Sequence, residues 1–321
     1  MEDQGLNLVK LRLSMLGTLA LIIGVSTVGL ATLLSLTGSL NIYTLATMVI
    51  LFNVAQWLMA PYIVNALYKV RRLDPDENPG LHRTLDDLSA RSGIKTPKLM
   101  ISNLPIPNAF AYGSPLTGNH VAVTQGLLTS LDHEEVEAVI GHELGHIKHR
   151  DVQTMMLISV LPSLFYILAR STMFARYGSR DRRDSGGLAA IGGASMLIYF
   201  VLLLFNLGFS RLREYYADQH SSLIVDDGAR KLSEGLAKIS TATMRARMIN
   251  PSAKTVGSFK ALFISDPDSA VKDAAEIAGI WGSDDDLVRS IASRRITSLD
   301  RLGELFSTHP NIVKRLRALR D

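Results

Sequence analysis

Two histidines and a glutamate stand at a spacing that suits a metal ion, in the run His142-Glu143-Leu144-Gly145-His146. Residues four apart share one face of a helix, so both imidazoles can reach one ion. Glu143 then lies beside the coordination position that a catalytic zinc leaves open for water. Zinc lowers the pKa of such a water to about 7, so a carboxylate suffices as its base. The pattern therefore predicts hydrolytic zinc chemistry.

A catalytic zinc needs a third protein ligand, and the chain has no cysteine that could supply a thiolate. We select Glu214 as this third ligand, because it follows a hydrophobic segment that returns the chain to the membrane surface it left after the motif. Asp218, one turn later, can accept a hydrogen bond from the outer N–H of a ligand histidine. Arg211, Glu214 and Asp218 share one helix face, and an ion pair of Glu214 with Arg211 or Arg213 is the alternative. His149 shares a face with His142 and is a rival ligand.

The surroundings of these residues are too apolar for an ordinary soluble protein. Hydrophobic residues make up 47% of the 321-residue chain, and residues 13–68, a run of 56, carry no charge. One membrane-spanning helix needs about 20 apolar residues, so this run predicts two spans, at roughly 14–36 and 42–64. Basic residues flank both ends of this two-span hairpin, which predicts that the two ends face the cytoplasm. The net charge of the chain is only +4. Basic residues beside membrane spans therefore indicate contact with a lipid bilayer and no nucleic-acid partner.

A second hydrophobic hairpin is predicted directly after the motif, from the segments 152–169 and 188–210. The loop between them carries Arg176, Arg180, Arg182 and Arg183, which opposes placing that loop outside the cell. We predict that the hairpin crosses the membrane, because 188–210 is 23 uncharged residues; partial insertion is the alternative. In either case the chain returns to the side it left.

The polar part of the chain is predicted to combine helices with a small sheet. Asn78-Pro79 begins a helix that ends near Gly93, and Asp132 begins a capping box for a motif helix over about 133–149. Three short runs predict strands, at 98–102, 108–112 and 120–124. A basic C-terminal helix with a solvated polar face follows Thr308-His309-Pro310.

These elements predict a mainly α integral membrane protein with four hydrophobic helices and a cytoplasmic α+β catalytic domain containing a small sheet. The divisions of the chain follow from the hydrophobic segments. They are an N-terminal transmembrane hairpin over 1–72, a first catalytic part over 73–151, a second hydrophobic hairpin over 152–210 and a second catalytic part over 211–321. The predicted ligands come from both catalytic parts.

The order of His-Glu-Leu-Gly-His, a hydrophobic hairpin, Arg-Glu-Tyr-Tyr-Ala-Asp and Thr-His-Pro resembles the HtpX family of membrane zinc metalloproteases. More distantly it is similar to the type I CAAX prenyl proteases, and the resemblance covers essentially the whole chain. It implies a gluzincin-type domain on the cytoplasmic side of the cell membrane. It also implies one Zn²⁺ per chain on His142, His146 and Glu214, with Glu143 as general base and acid. The implied substrates are misfolded or damaged membrane proteins.

The same resemblance implies a strand for substrate binding and a further catalytic residue. The strand that would pair with the substrate backbone is formed by Asn108, Ala109, Phe110 and Ala111. His309 would approach the zinc and stabilise the oxyanion, while a packing or capping role for this histidine stays open. Asp151 also matches the family and is interpreted as structural.

Two other functions fit the same sequence less well. A membrane-embedded scaffold or chaperone-like protein with a degenerate site would not need an intact His-Glu-Leu-Gly-His run. A prenyl-protein protease would use the same chemistry, but four hydrophobic segments are few for the large multi-span chamber of those enzymes. Fold analogy alone does not decide between these functions.

Overall fold

The computed structural model describes residues 42–178, 185–249 and 283–320. Its helices are α1 Ile42–Leu67, α2 Pro79–Ser92, α3 Gln125–Ser130, α4 His133–Lys148, α5 Asp151–Gly178, α6 Ser185–Ile224, α7 Gly228–Ile249, α8 Asp284–Ser293, α9 Ser298–Leu305 and α10 Ile312–Arg320. Its strands are β1 Val70–Arg72, β2 Lys98–Ser102, β3 Ala109–Ser114 and β4 Gly118–Thr124. The described chain is therefore mostly helical, with one small sheet, as predicted.

The chain divides into two compact units, one comprising residues 1–57 and 153–212 and the other 58–152 and 213–321. In the first unit, α5 and α6 pack around a small apolar core of Phe165, Leu168, Ile191 and Leu202. Within the described ranges, the segment Ala190–Ile224 of α6 is the one helix long and apolar enough to pass as a membrane span. The predicted span at 14–36 lies outside the described residues, so the prediction of four spans stays a prediction.

The second unit contains the whole sheet, whose strand order is β1-β2-β4-β3. The pair β2 and β4 is parallel, with Leu99 opposite Val121, whereas β1 and β3 each run antiparallel to their neighbours. Strand β3 pairs with β4 from Ala109 opposite Val123 to Ser114 opposite Gly118, and it lies at one edge. The parallel pair requires a crossover between β2 and β4, and β3 lies within that connection.

Local capping rules account for helix α2, which lies between β1 and β2 in the chain. The Asn78 side chain accepts a hydrogen bond from the backbone N–H of Leu81 at 3.0 Å, and Pro79 occupies the first turn. Gly93 ends α2 with a φ of 65°, a left-handed conformation that glycine adopts without strain. Both predicted ends of this helix are confirmed. Its buried leucines join the main core, which also contains the apolar face of α4.

Candidate metal centre

Helix α4 carries the two motif histidines on one buried face. Its N-terminus is fixed by the predicted capping box, in which the Glu135 carboxylate accepts a hydrogen bond from the Asp132 backbone N–H at 2.8 Å. His142, one turn before His146, is fully buried, and Glu143 is buried beside it. The two imidazole rings meet edge to face with centroids 4.8 Å apart. The spacing of four therefore places both rings on one side of the helix, as predicted.

Glu214 approaches both rings from helix α6. One carboxylate oxygen, Oε2, lies 3.7 Å from Nε2 of His142, and the other, Oε1, lies 3.5 Å from Nε2 of His146. One ligand atom from each of the three residues can be chosen so that all lie within 4.8 Å of one another. The structure thus brings together three residues that the sequence separates by as much as 72 positions.

Each histidine turns its other ring nitrogen towards a different carboxylate. Nδ1 of His142 lies 2.9 Å from Asp218, and Nδ1 of His146 lies 2.6 Å from Asp151. An ionised carboxylate can only accept a hydrogen bond, so the hydrogen bond with Asp151 places a proton on Nδ1 of His146. The Asp218 carboxylate favours the same tautomer in His142. In the neutral form of this tautomer, each Nε2 atom keeps a lone pair directed towards Glu214. This arrangement prepares histidines for metal binding.

A left-handed turn brings Asp151 back to the helix that precedes it. Helix α4 ends at Lys148, Arg150 has a φ of 55°, and α5 begins at Asp151. The Asp151 carboxylate then lies between His146 and Arg213, whose Nε is 3.0 Å away. Burial opposes ionisation of Asp151, but Arg213 and His146 outweigh it and hold the pKa of this carboxyl below its usual range. Asp151, which was interpreted from the sequence as structural, therefore contacts the predicted ligand His146.

The same contact changes the charge state that His146 prefers. Burial lowers the pKa of an imidazole, whereas the Asp151 carboxylate at 2.6 Å and the more distant Glu214 raise it. The carboxylates prevail, and the pKa of His146 is raised above its ordinary value. An ion at Nε2 must therefore displace any proton held there, so metal binding depends on pH.

Arg315, on α10, is a residue of the centre that was not predicted from the sequence. It donates to both oxygens of Asp218, from Nε at 2.8 Å and from Nη2 at 2.6 Å. A third nitrogen, Nη1, lies 3.4 Å from Oε2 of Glu214. The C-terminal helix was predicted to have a solvated polar face, yet Arg315 is only 1% exposed. Its sequence signal is its position between the apolar residues Ile312 and Leu316 on the buried stripe.

His309 also reaches the centre, from the connection between α9 and α10. Its Nδ1 lies 3.1 Å from Oε2 of Glu214, and the side chain is buried. The imidazole therefore lies beside the carboxylate that faces both motif histidines. This position places His309 next to the predicted ligands.

The rival assignments from the sequence separate clearly in the structure. His149 turns away from the cluster. Its ring packs edge-on against that of Tyr216, with ring centroids 3.9 Å apart, and its Nδ1 lies 2.8 Å from the carbonyl oxygen of Gly145. Glu214 has a basic neighbour in Arg315, whereas the carboxylate that pairs with Arg213 is that of Asp151. Arg211 belongs to the other compact unit.

The predicted substrate strand lies at the sheet edge. Ala109, Phe110 and Ala111 belong to β3, and Asn108 immediately precedes it, with its backbone N–H donating to the Thr124 hydroxyl at 2.9 Å. On the side of β3 away from β4, no strand among the described residues pairs with it. The backbone of this edge is the kind of surface that accepts an added strand.

The donor set fits a zinc ion. Two imidazole nitrogens and one carboxylate are a known set of protein ligands for catalytic zinc. Tetrahedral coordination with bonds of about 2.0–2.1 Å places ligand atoms about 3.3 Å apart, and the measured separations of 3.5 and 3.7 Å are close to this value. The buried Nε2 of His142 makes no hydrogen bond within the described part of the chain. Such an atom is costly unless an ion or another partner satisfies it.

A second group of carboxylates lies close together but does not have the features of a metal site. Asp132, Glu135 and Asp284 also lie close enough together to surround a cation. The ammonium group of Lys238 already lies between them, 3.0, 2.8 and 3.0 Å from their respective oxygens. We interpret this cluster as an ion-pair network that joins the N-termini of α4 and α8 to α7.

Comparison with known proteins agrees with this geometry. Residues 75–321 match the model of peptidase family M48. The chain belongs to peptidase family M48. It is 35% identical over 311 residues to the protease HtpX homolog of Aeropyrum pernix, covering 96% of this chain and 94% of that protein. It is 39% identical over 280 residues to the homolog of Pyrobaculum calidifontis, covering 86% and 76% of the two chains.

A solved structure shares the fold of this M48 peptidase. The crystal structure of S. mikatae Ste24p superposes with a TM-score of 0.54 at 16% sequence identity, covering 98% of this chain and 67% of the other. At this identity the likeness concerns the fold alone. Family membership makes the chain a metallopeptidase, and the expected relationship to HtpX proteases is confirmed.

Proposed function

We propose that this M48 peptidase is a zinc-dependent, membrane-bound endopeptidase. The observation that carries the proposal is the orientation of the two motif histidines. Both Nε2 atoms face Glu214, and both Nδ1 atoms face separate carboxylates. One Zn²⁺ per chain would be held by His142, His146 and Glu214, with the outer carboxylates fixing the histidine tautomers.

A bound zinc would supply a Lewis acid that polarises the peptide carbonyl and acidifies a water molecule. Glu143 then acts as the general base that takes the proton of the attacking water. The same carboxyl group passes this proton to the leaving amine. Its buried position beside His142 supports this role, because exclusion of water strengthens electrostatic interactions at the reacting atoms.

His309 is proposed to stabilise the oxyanion of the tetrahedral intermediate. Its Nδ1 faces Glu214, so the imidazole lies within the cluster rather than on the surface of the protein. Donors that point to developing negative charge typically contribute about 2.7–4 kcal/mol to catalysis. Arg315 keeps the surrounding carboxylates ionised and in place, because its guanidinium pairs with both Asp218 and Glu214.

The substrate backbone is proposed to bind along β3. An extended peptide that adds to this edge is recognised by main-chain hydrogen bonds, so binding requires little of the substrate sequence. The segment from Asn108 to Ala111 is the predicted contact. Such a binding mode requires a locally unfolded substrate, which agrees with a role in removing misfolded or damaged membrane proteins under stress.

The membrane attachment is proposed to be multi-pass, with the catalytic domain in the cytoplasm. Helix α6 exposes large apolar side chains at helical spacing, with Leu197 67%, Phe200 53% and Leu204 39% exposed. A contiguous exposed apolar surface of this kind suits lipid better than water. The four-span arrangement, the division at residues 72, 151 and 210, and the plasma-membrane location are parts of the proposal.

The proposal is tested with the purified full chain in lipid bilayers. A membrane-anchored polypeptide with an unfolded cytoplasmic segment, and casein as a soluble substrate, should both be cleaved. A chelator should abolish cleavage, and added Zn²⁺ should restore it. Absence of chelator-sensitive cleavage on either substrate would favour the non-catalytic scaffold instead. Equal rates on the anchored substrate and its soluble fragment would refute the preference for membrane proteins.

A further inference from the structure

The two glycines of the motif helix face the helix that carries Glu214. A Cβ atom added at Gly145 would lie 2.9 Å from the Cα of Ala217 and 3.1 Å from the Cβ of His220. A Cβ atom added at Gly141, one turn earlier, would lie 3.0 Å from the Ser221 hydroxyl oxygen. Helices α4 and α6 therefore approach so closely at these two positions that only a hydrogen atom fits between them.

The opposing atom at Gly145 is backbone, which makes this contact stricter than the other. Carbon atoms in favourable contact are about 3.5–4.0 Å apart. A methyl group at Gly145 would therefore push α6 away by roughly 0.6–1 Å, because a Cα atom cannot rotate aside as a side chain can. At Gly141 the nearest atoms belong to the side chains of Ser221 and Val225, so rotation can relieve part of the clash.

This displacement would act directly on the proposed third ligand. Ala217 lies three residues after Glu214 on the same helix, so the two positions move together. The Nε2 of His146 lies 3.5 Å from Oε1 of Glu214, close to the separation that zinc coordination requires. Functional geometries tolerate displacements of about 0.5 Å. The shift expected from one methyl group exceeds that tolerance.

A hydrogen bond limits how far α4 and α6 can separate at the same interface. The Ser221 hydroxyl donates to the carbonyl oxygen of Ala138 at 2.6 Å, one turn before Gly141 on α4. This bond keeps α6 against α4 near the glycine positions. The Ser221 hydrogen bond therefore holds α4 and α6 together, and the absence of a side chain at Gly145 allows their close approach. Together the two features fix the distance between the ligand-bearing helices.

We propose that Gly145 is a positioning residue for the metal site: the absence of a side chain there sets the distance of Glu214 from both histidines. The inference rests on the proposed zinc site and deepens it. It also explains why a glycine occupies the interior of this helix, where alanine would favour helix formation by about 1 kcal/mol. The residue does not touch substrate or metal, and it acts only through the separation of the helices.

The test measures zinc affinity in three glycine-to-alanine variants of the full chain in detergent. Gly145→Ala is the principal variant, and Gly141→Ala provides a second measurement if the first variant folds poorly. Gly235→Ala is the matched control: it lies on α7 and faces α4, but its added Cβ would meet its nearest neighbour, Leu131, at an ordinary 3.4 Å. Competition with a chromophoric chelator gives the dissociation constant, and thermal unfolding of the metal-free variants measures the structural effect separately.

We expect Gly145→Ala to raise the zinc dissociation constant roughly 10- to 100-fold, as loss of outer-sphere support does in other zinc sites. Gly141→Ala should give a smaller increase, and Gly235→Ala should bind zinc like the wild type. Tight zinc binding by the wild type with equal affinity in all three variants would overturn the inference while leaving the proposed function intact. Absence of zinc binding in the wild type would overturn both. An equal loss of affinity in Gly235→Ala would also overturn it, because the effect would then not depend on close approach to α6.

Discussion

Replacing Arg315 with methionine removes the cation that two buried carboxylates share. The guanidinium donates to both oxygens of Asp218, at 2.8 and 2.6 Å, and lies 3.4 Å from Glu214. Methionine preserves much of the buried volume, so the loss is mainly electrostatic. Removing one partner of a buried pair costs about 3–5 kcal/mol, because a charge stays buried without compensation.

The loss of stability in Arg315→Met should be largest in the metal-free protein. A zinc ion brings positive charge next to Glu214, so bound metal should recover part of the lost stability in Arg315→Met. For a folded unit of about 150–250 residues, a range that includes the unit containing Arg315, about 1 kcal/mol corresponds to roughly 2–4 °C in the midpoint of unfolding. The expected decrease in the presence of chelator is therefore about 6–20 °C, with a smaller decrease in saturating zinc.

The assay is thermal unfolding of the full chain in detergent, with chelator and with saturating zinc. Arg320→Met is the matched control, because Arg320 lies on the same helix but is exposed, and its guanidinium is 4.0 Å from the exposed carboxylate of Asp285. Exposed pairs contribute about 0–1 kcal/mol, so the control should unfold within about 4 °C of the wild type. If Arg315→Met in chelator also stayed within that range, the buried carboxylates would not depend on this cation, and the electrostatic reasoning would be refuted.

Two further substitutions test other parts of the site, and a third tests the separate ion-pair network around Lys238. Glu214→Ala should reduce zinc well below one ion per chain by elemental analysis; full occupancy would mean that the third ligand is another residue. Asp151→Asn should raise the zinc dissociation constant roughly 10- to 100-fold, since the amide replaces the carboxylate that orients His146; unchanged affinity in chelator competition would contradict this role. Lys238→Met should lower the free energy of unfolding by about 3 kcal/mol, because Glu135 would stay buried without its cation; denaturant unfolding that matches the wild type would count against it.

Features that depend on neighbouring residues were predictable from the sequence. The helix from Pro79 to Ser92 has an asparagine cap at one end and a left-handed glycine at the other, and both are local signals. Strand β2 was predicted with its observed ends, and the motif helix ends one residue earlier than predicted. Strand β1 was missed because two of its three residues are arginines, which gave no apolar pattern.

Features that depend on distant residues were harder to predict. The spacing of His142 and His146 fixes their common face, so this part of the site follows from helix geometry. The contact of Arg315 with Asp218 joins residues 97 positions apart, and no local pattern indicates it. The prediction of a solvated face on the C-terminal helix was wrong at Arg315, since basic residues are usually exposed unless paired.

The contact of Asp151 with His146 depends on a single unusual backbone conformation. The left-handed φ of Arg150 reverses the chain between α4 and α5, and such a conformation is uncommon for a residue other than glycine. Without that turn, the sequence gives only an aspartate five residues after a histidine. Its role could therefore be assigned only from the structure.

The most direct test of the zinc-peptidase mechanism measures zinc content and proteolysis together in the wild type and in Glu143→Gln. Glutamine has nearly the shape of glutamate but cannot take up the proton, so one zinc per chain should stay bound. Cleavage should fall by about 10²–10⁴-fold, the contribution typical of general acid–base catalysis. Retained proteolysis in this variant with full zinc occupancy would contradict the assignment of Glu143 as the base.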